Sequence, residues 1–381
     1  MRIGFDAKRA IQNNTGLGNY SRFVIEVLSE YYPDSAYFLF APQEKDNARL
    51  KKLLSRPNVF FIFPSGISKL LSLFWRLFGS KKNINKNHVE IFHGLSNELP
   101  VNIQNTGVKM VVTIHDLIFI RYPQYYQWID RKIYYWKFRR ACRKADVIIA
   151  ISECTKRDII SFFHIPEEKI KVVYQNCNPL FKQPVSDDKR KQITEKHQLP
   201  EQYILYVGSI EQRKNLLLVV RALQQIPEKI HLVAIGKPTP YQQEVEQYAR
   251  EMGLESRLHI KNDFPCEDLP AAYQSATVFV YPSFFEGFGI PVIEALSSGV
   301  PVIAATGSCL EEAGGPDSIY VNPHDETELA VKIREISENQ DLAKKMVEQG
   351  LVYMKRFEPQ RIAVEIMGIY QGCFTGTNQQ A

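Results

Sequence analysis

Residues 277–305 read TVFVYPSFFEGFGIPVIEALSSGVPVIAA, and their pattern is that of one strand–helix–strand unit. Residues 277–281 form a short β-branched and aromatic run, the signature of a buried strand. A loop with Gly287 and Gly289 follows, and Pro291 stands at a first helical position, where its missing N–H costs nothing. The helix is expected to reach about Ser298 and to stop at Gly299, after which residues 301–305 restart as a strand. The two glutamates therefore differ in place: Glu286 sits in the loop and Glu294 on the helix. Between them the backbone N–H groups of Phe288, Gly289 and Ile290 point out of a helix N-terminus, which is a ready anion site. A loop carboxylate, an anion cradle and a helical carboxylate suit the hexose hydroxyls, diphosphate and ribose hydroxyls of a nucleotide sugar.

The same alternation fills the chain. Strand-like runs are expected at 2–6, 36–41, 59–63, 89–93, 109–115, 146–152 and 171–174. A second series is expected at 203–208, 230–236, 257–261, 277–281, 301–305 and 318–321. Strands alternating with helices argue for parallel sheets covered on both faces. Two series predict an α/β protein with two doubly wound domains, divided within the Pro-rich and polar stretch 176–200. We set the domains at 1–185 and 186–360, with a last helix and tail at 361–381. Ligands of such sheets bind beyond the carboxyl ends of the strands, so those ends are expected to face a common cleft.

At 381 residues, with 45% hydrophobic and 23% charged content, the chain has ordinary globular composition. It starts directly as a strand and meets a charge at once, and no apolar run reaches the roughly 18 residues that span a bilayer. The reading is a cytoplasmic protein. Six cysteines show no metal-binding spacing and are expected as reduced thiols. The net charge of +5 is unevenly spread: residues 1–185 carry 28 Lys and Arg against 15 Asp and Glu, the remainder 19 against 27. A basic N-terminal half fits either simple solubility or an anionic surface, the inner face of a membrane among them. Residues 68–78 (SKLLSLFWRLF) read as a membrane-surface helix or as one covering a sheet. The aromatic and basic stretch 121–144 (RYPQYYQWIDRKIYYWKFRRACRK) keeps membrane contact open, and no nucleic-acid module is recognisable.

After the first strand comes Thr15-Gly16-Leu17-Gly18-Asn19, a glycine turn before a helix expected at 20–31. Ser21 replaces the third glycine of a dinucleotide fingerprint and no acidic residue ends the second strand, which disfavours a nicotinamide cofactor. His115-Asp116 ends another strand. His115 suits a hydrogen bond to a sugar or acceptor hydroxyl, and Asp116 suits orienting it or serving as a base on the acceptor side. His93-Gly94 ends a strand in the same way. In the second half, Gly208-Ser209 precedes Arg213-Lys214, two cations after a glycine turn that suit a buried diphosphate.

The run 285–295 (FEGFGIPVIEA) resembles the Glu-x7-Glu motif of retaining glycosyltransferases of family 4, which have the GT-B fold. Residues 15–20, 113–117, 146–158 and 208–215 are similar to the branch that contains O-antigen mannosyltransferases. The resemblance implies that Glu286 contacts the donor hexose and Glu294 the ribose. It implies further that Arg213 and Lys214, helped by the 288–290 amides, neutralise the diphosphate. His115 would sit near the transferred sugar, Gly16 and Gly18 would give the diphosphate room, and the last helix would cross back onto the first domain. Two positions depart from the family pattern: Ser209 stands where many members carry Arg, and Cys177 follows Asn176 where glycine is usual.

The expected function is a retaining, metal-independent hexosyltransferase without cofactor, its co-substrate a nucleotide-diphosphate sugar. GDP-mannose is the branch's donor and a UDP-hexose the alternative. The expected acceptor is a polysaccharide or lipid-linked glycan of the cell surface, such as lipopolysaccharide. An epimerase or phosphorylase of the same fold, a catalytically inactive sugar-nucleotide-binding subunit, and a peripheral membrane module are the competing classes.

Overall fold

In a computed structural model the chain is described over residues 1–45, 47–65, 75–103 and 106–375. It divides into two compact units, Met1–Gln175 with Phe357–Ala381, and Asn176–Arg356. The expected helix at 68–78 lies largely outside the described residues; Trp75 and Arg76 within it are buried.

Among the described residues, unit 1 holds seven strands: β1 (Arg2–Asp6), β2 (Ala36–Phe40), β3 (Val59–Ile62), β4 (Ile91–Gly94), β5 (Lys109–Ile114), β6 (Val147–Ala150) and β7 (Ile170–Val172). All pair in parallel, in the order β3-β2-β1-β4-β5-β6-β7. Unit 2 holds β8 (Tyr203–Val207), β9 (His231–Ile235), β10 (Leu258–Lys261), β11 (Val278–Tyr281), β12 (Val302–Ala305) and β13 (Ile319–Val321). These are also parallel, in the order β10-β9-β8-β11-β12-β13. The central strands read as near-continuous apolar runs because helices cover both faces; β11 and β12 are buried at every position, whereas the edge strand β10 (LHIK) is nowhere fully buried. In each sheet the strand order reverses once, between β1 and β4 and between β8 and β11. Those are the switch points where a doubly wound sheet opens a crevice at its carboxyl ends.

Three boundaries differ from expectation. The units part at Gln175, ahead of residue 185, because Phe181 is buried against Tyr273, with ring centroids 5.4 Å apart, and so belongs to unit 2. The first long helix is Gly16–Tyr31, so the two glycines lie inside its first turn and not in a preceding loop. The last helix is Pro359–Thr375, starting two residues ahead of 361, and Pro359 opens it, as proline's fixed φ allows. Its apolar stripe Ile362, Ala363, Ile366, Met367 and Tyr370 is buried in unit 1, where it packs on Gly16–Tyr31.

Candidate functional site

In unit 2 the switch point between β8 and β11 gathers the charged residues read from the sequence. β8 ends into Gly208, where a Cβ would meet Lys214 Nζ at 3.1 Å and displace that side chain. A short turn, Gln212–Lys214, then places both cations beneath the end of β11. Asn215 ends that turn in the left-handed region, at φ +58°, and its Nδ2 donates to the carbonyls of Pro282 (3.2 Å) and Pro323 (2.8 Å). One side chain thus ties the loops after β11 and β13 to the loop after β8.

Glu286 is held through one oxygen. Its Oε1 accepts from Tyr281 Oη (3.0 Å), Ser283 Oγ (3.0 Å) and Arg213 Nη1 (2.9 Å). No hydrogen bond to its Oε2 occurs among the described residues. Burial alone would raise the Glu286 carboxyl, but the charges of Arg213 and Lys214 and the hydrogen bonds from Arg213 and Tyr281 outweigh it and hold it below the ordinary range. Arg213 also donates to the Phe285 carbonyl and, at 2.6 Å, to Glu211. It is fully committed to shaping the loop. Lys214 is not: its Nζ lies 5.7 Å from the centre of the Tyr281 ring, with no ion pair or hydrogen bond among the described residues.

The helix after the loop is Ile290–Ser297, opened by Gly289 at φ +110°, where a Cβ would come within 2.7 Å of Leu310. Among the described residues no side chain caps it, and uncapped amides at a helix N-terminus suit an anion; the Phe288 side chain is buried. Glu294, half-buried on this helix, accepts from Tyr273 Oη at 3.2 Å. Burial pushes its carboxyl from an ordinary 4.5 to about 8, against the pull of that hydrogen bond and of Lys214. The two glutamates thus sit on opposite sides of neutrality, Glu286 ionised and Glu294 protonated. Ser209, half-buried after Gly208, lends its carbonyl to Tyr206 Oη and the Glu211 amide.

In unit 1, His115 follows β5 and is nearly buried. Its Nε2 donates to the Leu95 carbonyl (2.9 Å), its amide donates to Asn97 Oδ1 (2.8 Å), and its ring stands edge-on to Tyr20 at 4.7 Å. Burial pushes it down to about 4, so the ring is neutral at physiological pH, with Nδ1 as its acceptor nitrogen. Asp116 Oδ1 accepts from the Ile118 amide, closing a turn on itself, and the Leu95 carbonyl is a partner of the His115 ring. His93 is fully buried between Tyr370 Oη (2.6 Å) and Thr113 Oγ1 (2.8 Å), a structural position. Gly18 is required by its own chain, since a Cβ would fall 1.9 Å from the Asn13 carbonyl oxygen, whereas a Cβ at Gly16 would meet nothing within 4 Å.

Sequence reading missed several supporting residues. Tyr281, Ser283, Tyr273 and Asn215 hold the glutamates and the loops; only Tyr281 and Ser283, just before Glu286, gave a local signal. At the β1/β4 switch point Asp6 is buried and receives Arg76 through both Nε and Nη2 (2.9 and 2.6 Å). Arg76 also reaches Glu98 (3.0 Å), and Glu98 receives Lys137 (3.2 Å). Among the described residues no cluster of three His, Cys, Asp or Glu suited to a metal ion occurs.

Residues 28–176 match the family model "Glycosyltransferase Family 4", and residues 187–351 match "Glycosyl transferases group 1". The chain is 28% identical over 287 residues to O-antigen chain mannosyltransferase B of Escherichia coli, covering 74% of each protein. Among solved structures, sucrose-phosphate synthase from Thermosynechococcus elongatus superposes with a TM-score of 0.78 at 20% identity, over 99% of this chain and all of that one. Anabaena Alr3699/HepE in complex with UDP gives 0.74 at 17% identity, over 98% of this chain and all of that one. These two likenesses concern the GT-B fold.

Proposed function

The chain belongs to the glycosyltransferases, family 4 in its N-terminal half and group 1 in its C-terminal half, and from that premise we propose that it transfers mannose from GDP-mannose to a polysaccharide or lipid-linked glycan acceptor in cell-surface polysaccharide synthesis. Transfer proceeds with retention and without a metal ion. The observation that carries this reading is the asymmetric hold on Glu286: three donors on Oε1, and Oε2 left toward the hydroxyls of a donor hexose. The mannosyl choice rests on the name of the Escherichia coli relative.

The residues divide the work. Lys214, free of protein ion pairs among the described residues, neutralises the diphosphate with the Gly289 and Ile290 amides. Arg213 acts through Glu286, keeping its carboxylate ionised and its oxygens oriented. Glu294 meets the ribose hydroxyls, and Gly16 leaves backbone space for the diphosphate. The neutral His115 ring offers Nδ1 to a hydroxyl of the transferred sugar. In the step itself the C1–phosphate oxygen bond breaks, the acceptor oxygen bonds to C1 on the same face, and the acceptor's proton passes to the leaving diphosphate.

Transfer by Glu286→Ala and Lys214→Ala with GDP-mannose tests the site. A charge-assisted hydrogen bond to the donor is worth roughly 1.5–3 kcal/mol, so kcat/KM is expected to fall at least tenfold in each variant. Near-normal rates in both would sink the assignment. Thermal shift against a panel of nucleotide sugars tests the donor: one at a hundred times its Kd stabilises by about 2.7 kcal/mol, and a larger shift with a UDP-hexose than with GDP-mannose would replace the donor named here.

A further inference from the structure

The helix Trp128–Lys144 of unit 1 has one buried side, with Ala141 and Cys142 in the core. Its opposite side is unusual for a helix covering a sheet. Trp128 is 67% exposed, Ile129 63%, Ile133 43% and Trp136 59%. Positions 128, 129, 133 and 136 share one helical face, and Lys132, Arg143 and Lys144 are exposed around them. The sole acidic residue of the helix is Asp130. An exposed apolar patch edged by cations, with Asp130 as the one acidic side chain beside it, is not what solubility selects. It is the composition of a helix lying in a lipid interface, with aromatic rings at headgroup depth and basic side chains reaching anionic phosphates.

A second feature sits beside it. Phe119, Ile120, Trp128, Arg131, Lys132 and Tyr135 line a cavity of about 410 Å³. Arg131 supplies one cation to this lining. Lys132 adds a second cation, its Nζ 5.7 Å from the Trp128 ring centre. Apolar and aromatic walls around two cations fit a phosphate that carries an apolar body.

We propose that this face docks on an anionic phospholipid bilayer, with Trp128, Ile129, Ile133 and Trp136 entering the interface and the Arg131–Lys132 cavity taking a lipid phosphate. This deepens the acceptor side of the proposed function, resting on its reading of a lipid-linked acceptor, and it assigns the surface through which such an acceptor is approached.

Co-sedimentation of the full chain with vesicles tests it, without donor or acceptor. Binding is expected to phosphatidylcholine vesicles containing phosphatidylglycerol, and to fall as salt rises. The pair Trp128→Ala and Trp136→Ala removes two exposed rings and spares the core, so its thermal midpoint stays and its vesicle affinity drops at least tenfold. Each basic side chain near an anionic surface strengthens binding roughly fivefold, so Arg131→Gln with Lys132→Gln is expected to lose more than tenfold. Glycerol 1-phosphate added in solution is expected to compete only weakly, since it lacks the apolar body. Equal binding to pure phosphatidylcholine, undiminished binding by either double variant, or a vesicle-free dimer abolished by the tryptophan pair would each overturn the proposal. Donor binding by calorimetry in the same variants is expected to be unchanged. Failure of the wild type to bind any nucleotide sugar would strike the proposed function and leave the vesicle result standing.

Discussion

Gly16 and Gly18 are two residues apart in one helical turn, yet different neighbours constrain them. A side chain at 18 collides with the Asn13 carbonyl, whereas at 16 it meets no protein atom within 4 Å. Gly18→Ala is therefore expected to destabilise unit 1 by about 1–3 kcal/mol, as overpacking against backbone does. Gly16→Ala should leave the thermal midpoint within error and still lower kcat/KM, because the space it fills is the one assigned to the diphosphate. A Gly16→Ala enzyme with wild-type kinetics would remove Gly16 from the donor site. Glu294 invites a pH test with a definite sign. Its folded carboxyl titrates near 8, against an ordinary 4.5, so the folded state keeps a proton that the unfolded chain gives up. The associated stability is whole below about pH 4.5, declines as the pH climbs, and is gone above about 8. Glu294→Gln cannot ionise, so urea midpoints of variant and wild type should coincide near pH 4.5 and diverge in the variant's favour toward pH 8.5. A constant offset across that range would mean that the carboxyl is not held protonated.

Elements decide where these residues stand, and the loops after β8, β11 and β13 are joined by Asn215. Removing its amide in Asn215→Ala strips two hydrogen bonds and leaves a non-glycine residue at φ +58°. Each of these bonds is worth about 0.5–1.5 kcal/mol, and unit 2 should lose about 2 kcal/mol while donor affinity falls. Asn215→Gly should recover the backbone part alone, and equal stability of the two variants would show that the conformation of residue 215 is unstrained. At this scale the sequence was most readable. All thirteen described strands overlap the runs expected, because the central parallel strands are buried on both faces and read as unbroken apolar runs. The Glu286 loop and the Glu294 helix were readable too, since glycine and proline punctuate them. The start of Gly16–Tyr31 was not, because two glycines look like a turn until the packing against Asn13 is known. Nor were Tyr273, Asn215 or the Asp6–Arg76–Glu98–Lys137 chain, whose partners lie 21 to 108 residues apart. No local pattern marks a contact made only by the fold.

Over the whole molecule, the chain leaves unit 1 at Gln175, builds unit 2, and returns at Phe357 to complete unit 1. The returning helix Pro359–Thr375 is more than an appendage, because it buries five side chains and carries Tyr370 to His93. His93 is fully buried, and burial pushes its ring down to about 3, so it stays neutral and its Nδ1 needs the phenol. In Tyr370→Phe that nitrogen loses its partner out of reach of water, at an expected cost of about 1–3 kcal/mol. Ending the chain at Arg356 removes the phenol together with the apolar stripe, leaving bare the part of Gly16–Tyr31 that the helix covers. Hydrogen exchange on the full chain, on Tyr370→Phe and on the truncated chain should then show a graded effect. Protection in β1, β4 and Gly16–Tyr31 should fall slightly in the point variant and largely in the truncation, while β8, β9 and β11 keep wild-type protection in both. Loss of protection in β8 and β11 to the same extent would mean that the last helix stabilises both units, and that the division at Gln175 and Phe357 is not one of stability.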